Sequence, residues 1–216
     1  MLTDIKKISL IKKDNALVAV CFLAVALLIG TIIGAISGLG IEIAVIMVTA
    51  GYGAIAMFFK IIFLAAEVSR GLGFGMTRKK IFAYSRIYDA LELCVVLIIM
   101  ILLMGTANLS VILKVAVLIF GFIMFVQGLA GNAVVLYGRT AYMIYYFSML
   151  ALGILCPKII QLSGSAQRFA IWFLDALVGN STATSLGAWG VILAFALAGI
   201  IVNWMTFRKL PVVQTV

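Results

Sequence analysis

The chain has 216 residues, 66% of them hydrophobic and 11% charged, with two prolines, no histidine and a formal net charge of +9. A mean hydropathy of +1.29 fills nearly the whole length with apolar segments, which excludes a soluble enzyme domain and predicts an all-α polytopic membrane protein. Without histidine there is no H-E-x-x-H metalloprotease, no Ser–His dyad and no histidine general base. Cys21, Cys94 and Cys156 fall in three different apolar stretches with no C-x-x-C among them. They are expected to be small core residues, with neither a zinc site nor a disulfide framework.

Residues 1–15 place Ile5, Ile8 and Leu10 or Ile11 at spacings near three with Lys6, Lys7, Lys12 and Lys13 between them, the pattern of an amphipathic helix lying on the inner leaflet. Six runs then approach or exceed the roughly 20 apolar residues needed to cross a bilayer: 16–37, 43–64, 87–107, 113–137, 141–157 and 187–207. The first lacks an A-x-A-like cleavage site, so it is expected to be retained. Its Gly30, Gly34 and Gly38 form two overlapping G-x-x-x-G steps, which suit close packing on another helix of the same chain or at a face between two protomers. Short outer turns are expected at 38–42 and at 106–112, the latter holding Asn108 and Ser110.

The loop at 67–86 holds most of the polar information. Gly71, Gly73 and Gly75 are expected to interrupt the preceding helix, and Thr77 to cap a new one that starts with Arg78, Lys79 and Lys80 and runs into the third span. As a nucleotide loop, Gly71-Leu-Gly-Phe-Gly75 fails, since it follows a membrane helix and lacks the G-K-[ST] ending. The apolar part of the third span, 93–105, covers only about 20 Å at 1.5 Å per residue, which draws Asp89 and Glu92 to the inner boundary. Arg86, one turn earlier, is placed for an ion pair with them. Three roles fit these acids: interfacial groups neutralised by neighbours, transmission of movement from the loop, or proton coupling. In the fourth span, Gln127 and Asn132 suit interhelical hydrogen bonds better than substrate contact. Segment 158–186 is too apolar for a free loop and is expected to form short helices re-entering the outer leaflet, with Ser163-Gly-Ser165 and 180–185 as polar turns.

Charge placement orients the chain. With both termini inside, the inner segments carry Lys6, Lys7, Lys12, Lys13, Arg70, Arg78, Lys79, Lys80, Arg86, Arg139, Arg208 and Lys209, and the outer ones only Lys158 and Arg168. This is a positive-inside pattern. Lys60 and Lys114 lie near span ends, where they can snorkel to the interface. The basic balance thus reports topology, and no nucleic-acid partner is implied.

An N-terminal interfacial helix, six spans, a capped basic loop between spans two and three and re-entrant segments between spans five and six together resemble a type-2 ABC transporter permease. Gly75-Met-Thr-Arg-Lys-Lys-Ile-Phe82 is similar to the glycine, hydroxyl, basic and aromatic pattern at that place in small exporter permeases of Gram-positive bacteria. The resemblance implies a single permease domain over 1–216 with a coupling helix in 67–86. Gly75, Thr77, Arg78, Lys79 and Lys80 would contact a separate ABC ATP-binding subunit, or the basic residues would grip anionic lipid instead. A second permease copy, identical or a sister chain, would complete the unit, with Gly30, Gly34, Gly38, Tyr142, Tyr145 and Tyr146 at the protomer interface or cargo path. No cofactor is expected on this chain, ATP and magnesium belonging to the partner ATPase, and the location is the bacterial cytoplasmic membrane.

The function so implied is export of a hydrophobic or amphipathic cargo, such as an antimicrobial peptide, a lipid-like molecule or a drug, by a chain that is not itself an enzyme. Two other classes stand beside it. A secondary transporter needs intramembrane ionisable groups or broken helices near the midplane, and usually an internal repeat. Neither is expected here, since the glycines of the first span lack a counterpart in the fourth. An immunity or scaffold protein needs neither a cavity nor an ATPase.

Overall fold

The computed structural model describes residues 2–38, 40–105, 109–178 and 182–210. Among them the chain is helical apart from short turns: α1 (Leu2–Ser37), α2 (Ile41–Ala54), a π-helical turn (Ile55–Phe59), α3 (Lys60–Gly73), α4 (Arg78–Met104), α5 (Leu109–Val126), a second π-helical turn (Gln127–Gly131), α6 (Asn132–Tyr137), α7 (Arg139–Leu162), α8 (Gly164–Val178) and α9 (Thr182–Phe207). Each π turn joins its flanking helices into one rod. Six runs are long and apolar enough to cross a membrane: Lys6–Ser37, Ile41–Leu64, Arg78–Met104, Leu109–Tyr137, Arg139–Leu162 and Leu186–Phe207. The chain is therefore an all-α, multi-pass membrane protein.

Two boundaries differ from expectation. The separate helix over 1–15 is instead the first part of α1, which continues unbroken to Ser37. No glycine or proline occurs between Leu2 and Ile29 to end it, and Ile8, Ile11, Lys12 and Asn15 are buried against other helices. Between the fifth and sixth membrane helices, 158–162 extend α7 and a single helix, α8, follows. Ser163 sits at the junction and accepts a hydrogen bond from the Ala166 amide at 3.4 Å. Asn108, and 180 and 181 of the expected polar turn at 180–185, lie outside the described residues, and 182–185 belong to α9.

Between lipid-embedded helices there is little hydrophobic drive, so close backbone approach through small residues takes its place. α1 packs along α2, with Gly30 on Ala44 and Met47 and Gly34 against the Gly40 carbonyl, and the Gly40 amide donates to the Gly34 carbonyl at 3.1 Å across the turn. Two of the three glycines in the G-x-x-x-G series are thus used within the chain, and Gly38 (φ 71°) lies in the turn with open space around it. α5 packs equally closely on α9, with Gly121 against Phe195 and Ala196, and Gly128 of the following π turn lies against Asn203. α4 touches both pairs. α7 lies outside α6 and buries none of its residues fully.

The basic loop is a closed helix stop. Gly75 takes φ 71°, its amide donates to Leu72 O at 2.9 Å and the Met76 amide donates to Gly71 O at 3.1 Å, the paired bonds of a Schellman cap. Gly71 and Gly73 remain helical, so Gly75 alone makes the break. Gly71 instead lets Ile81 approach, since a Cβ there would meet the Ile81 side chain at 2.8 Å. Thr77 then caps α4, its side chain accepting from the Lys80 amide at 3.4 Å. Met76 is buried with Ile8, Ile11, Leu64, Val68, Ile81, Phe207 and Leu210, so the loop and both ends of the described chain meet at one end of the bundle.

A Gly30→Val variant is expected to lose about 1–3 kcal/mol, because a Cβ at Gly30 would stand 2.7 Å from the Ala44 Cα. Gly190→Ala, where nothing lies within 4 Å, should be neutral or slightly stabilising; unfolding midpoints in mild detergent compare the two.

Candidate functional site

The two π turns flank one cluster of charged side chains. A π turn offsets the residues after it by one position and is frequent at functional sites. Lys60 directly follows the first turn and Gln127 opens the second. Both side chains reach Asp89 of α4, which lies eleven residues beyond Arg78, about 16 Å along the helix.

Asp89 has no solvent contact. Its Oδ1 accepts from Lys60 Nζ at 3.2 Å and Lys12 Nζ at 3.3 Å, and its Oδ2 faces Arg86 at 3.4 Å and accepts from Gln127 Nε2 at 3.5 Å. Lys12 also pairs with Glu67 at 2.8 Å, whose other oxygen accepts from Asn15 Nδ2 at 3.4 Å. Lys60 also pairs with Glu92 at 3.0 Å, donates to Tyr52 Oη at 3.4 Å and lies 5.4 Å from the Tyr52 ring centre. Three cations and three carboxylates make the cluster formally neutral, as burial in a low-dielectric bundle requires. Its bonds tie α1, α3, α4 and the second π turn to one carboxylate. Glu92 Oε1, Gln127 Oε1 and Arg86 Nε are buried without a hydrogen-bond partner among the described residues.

Of the residues singled out from sequence, Arg86 and Asp89 pair as their spacing predicts. Glu92 takes Lys60 as its partner. Gln127 and Asn132 both bond between helices, Asn132 donating to Thr206 Oγ1 at 2.6 Å. Lys60 and Lys114 do not snorkel. Lys60 is fully enclosed by the cluster, and Lys114 is buried with its Nζ donating to Ala176 O at 2.9 Å and Leu177 O at 3.3 Å, where it caps the carbonyl end of α8. Cys21, Cys94 and Cys156 are free and exposed on outward helix faces, not in the core, because each lies on the side of its helix that no neighbour covers.

The three tyrosines gather where α7 meets the first π turn. Tyr145 Oη donates to Met57 O at 3.0 Å, a carbonyl within that turn. Tyr146 stands edge-on to Phe58, with ring centres 5.7 Å apart, and stacks on Tyr142 at 6.4 Å. In the basic loop Arg78 donates to Arg208 O at 3.1 Å, Lys80 pairs with Asp4 at 2.9 Å, and Lys7 donates to Phe74 O at 2.9 Å. The Lys80 hydrogen bond holds the Asp4 carboxyl below its ordinary range. Lys79 and Phe74 remain exposed at the surface of this end.

Sequence reasoning missed Lys12, Asn15, Lys60, Tyr52 and Glu67 as members of one site. The signal present was the occurrence of both bases and acids in or beside the first three apolar runs, among them Lys12, Lys60, Arg86, Glu67, Asp89 and Glu92, which is what mutual neutralisation requires. Compared with known proteins, the chain matches no family model, no curated protein and no solved structure.

Asp89→Ala should destabilise the fold by about 3–5 kcal/mol, because three buried cations then lose their shared partner. Glu92→Gln, which leaves Lys60 on Asp89 and Tyr52, should cost clearly less; unfolding curves in detergent check the order, and equal losses would refute the central place given to Asp89.

Proposed function

We propose that the chain is the transmembrane subunit of an ATP-driven ABC exporter that moves a hydrophobic or amphipathic cargo across the bacterial cytoplasmic membrane. The observation that carries the reading is the closed, capped basic turn between the second and third membrane helices. Its Gly75 stop and Thr77 start are each closed by hydrogen bonds, and its Arg78 and Lys80 bonds tie it to both ends of the described chain. Such a turn moves as one body with α3 and α4. In this reading Lys79 and the exposed Phe74 ring meet the ATP-binding subunit, Gly75, Thr77, Arg78 and Lys80 hold the turn's shape, and the turn faces the cytoplasm with both termini. ATP and magnesium sit on the partner, and a second permease copy completes the pathway.

A specific observation favours a second reading. Intramembrane ion pairs beside two π-helical interruptions are what an ion-coupled secondary transporter uses. The two readings divide on energy source: an exporter stops when ATP is withdrawn, and a coupled carrier stops when the ion gradient is collapsed.

Gentle-detergent purification of the tagged chain, with co-purifying proteins identified by mass spectrometry, should recover a P-loop ATPase in comparable amount. Lys79→Glu should lower that recovery at least tenfold with membrane insertion unchanged. Reproducible absence of an ATPase, or recovery unaffected by Lys79→Glu, would remove the docking role.

A further inference from the structure

Beside the ion-pair cluster a groove of about 280 Å³ runs between α1 and α4, near the lower end of the roughly 300–1,000 Å³ of small-molecule sites. Its walls are apolar, with Ala16, Val20 and Leu23 on one side and Tyr88, Leu91 and Val95 on the other. Val20, Leu91 and Val95 are each more than half exposed, so the groove opens sideways on the surface turned to lipid. Glu92 is the one ionisable carboxylate in the lining. It belongs to the cluster through Lys60 at 3.0 Å, while its Oε1 is buried without a hydrogen-bond partner among the described residues, so a cation in the groove meets it by a turn of the carboxylate toward the slot.

We propose that this groove binds a cationic amphiphile, an alkyl chain ending in a single ammonium or guanidinium group, with the tail along α1 and α4 and the cation on Glu92. The inference names a cargo class and rests on the transport reading above. Its basis is charge complementarity. An apolar slot favours any alkyl chain by area, but a carboxylate with an unsatisfied oxygen in a low-dielectric wall selects a cationic donor over an alcohol or a carboxylate. The other cations of the cluster face Asp89 and Glu67, and only Lys60 competes at Glu92.

That competition gives occupancy a route to the loop. A ligand cation on Glu92 displaces Lys60, which stays on Asp89 at 3.2 Å and under the Tyr52 hydroxyl. Lys60 is the first residue of α3, and α3 ends in the Gly75 turn. The contact that the ligand replaces therefore lies at the top of the element that carries the basic loop.

The test is photolabelling of the full chain in phosphatidylcholine nanodiscs with dodecylamine bearing a diazirine near the tail end, against dodecanol carrying the same group. The amine should label peptides containing Val20, Leu23, Leu91 or Val95 about tenfold more strongly than the alcohol. Glu92→Gln should bring amine labelling down to the alcohol level while leaving alcohol labelling unchanged, which also shows that the variant is folded. Val95→Trp, which fills the groove and keeps the carboxylate, should reduce both. Equal labelling by amine and alcohol, or an amine preference that survives Glu92→Gln, would overturn the proposal. No ATPase is present in this experiment, so its failure leaves the exporter reading standing, and an amine site in a chain that recruits no ATPase would sink only the exporter reading.

Discussion

A carboxylate with no water contact is tolerable in a membrane bundle only if cations are brought to it, and most of this architecture follows from meeting that requirement at Asp89. Lys12 comes from α1, Lys60 from α3 and Arg86 from the turn before Asp89 on its own helix. Each must arrive at hydrogen-bonding distance, which fixes the rotation and height of three helices relative to one another. A neutral total of three bases and three acids leaves no uncompensated charge in the bundle, which lowers the cost of burial. The unbroken run of α1 is part of the same solution. A helix lying on the membrane surface would leave Lys12 and Asn15 away from Glu67 and Asp89.

Packing elsewhere is arranged so that these rods can hold that register. Glycines bring α1 onto α2 and α5 onto α9 at distances that a Cβ would prevent, and dispersion over those close faces replaces the hydrophobic effect that lipid removes. The π turns then adjust the rods between the pairs, one placing Lys60 and the other Gln127 toward the same carboxylate. The backbone carbonyl of Met57, in the first turn, is taken up by Tyr145, so α7 is attached to the bundle at the very element that sets Lys60.

These connections make a mechanical chain from surface to interior. The basic turn is joined by side-chain bonds to the start of α1 and the end of α9, and by backbone to α3 and α4. α3 begins at the ion-pair cluster and α4 carries its centre. The turn and the cluster are therefore joined through two helices, α3 and α4, with Lys60 at the start of one and Asp89 within the other. α7 stands at the periphery of that frame with no fully buried residue, held by its tyrosine face against the first π turn.

The sequence by itself determined the class and several local features. Apolar runs of membrane length specify six helices because the bilayer thickness and the helix rise are fixed quantities. Thr77 as a cap, Arg78 as a start, and the Arg86–Asp89 spacing are interactions between near neighbours, which the helical repeat encodes directly. The tertiary structure alone decided which distant charges meet. Lys60 and Lys114 near the ends of apolar runs look like side chains that reach water, since a run of residues shows hydropathy but not what stands beside it. Their partners, Asp89 with Glu92 and the carbonyls of α8, lie on other helices, and the π turn that places Lys60 leaves no mark in the hydropathy pattern. Likewise the cysteines have the composition expected of core and stand exposed, while Lys12 and Asn15 in the basic first stretch are buried by bundle geometry. In lipid, an apolar side chain gains little from choosing inside over outside, so burial is decided by shape and by the pairing of polar groups, which are properties of the assembled helices.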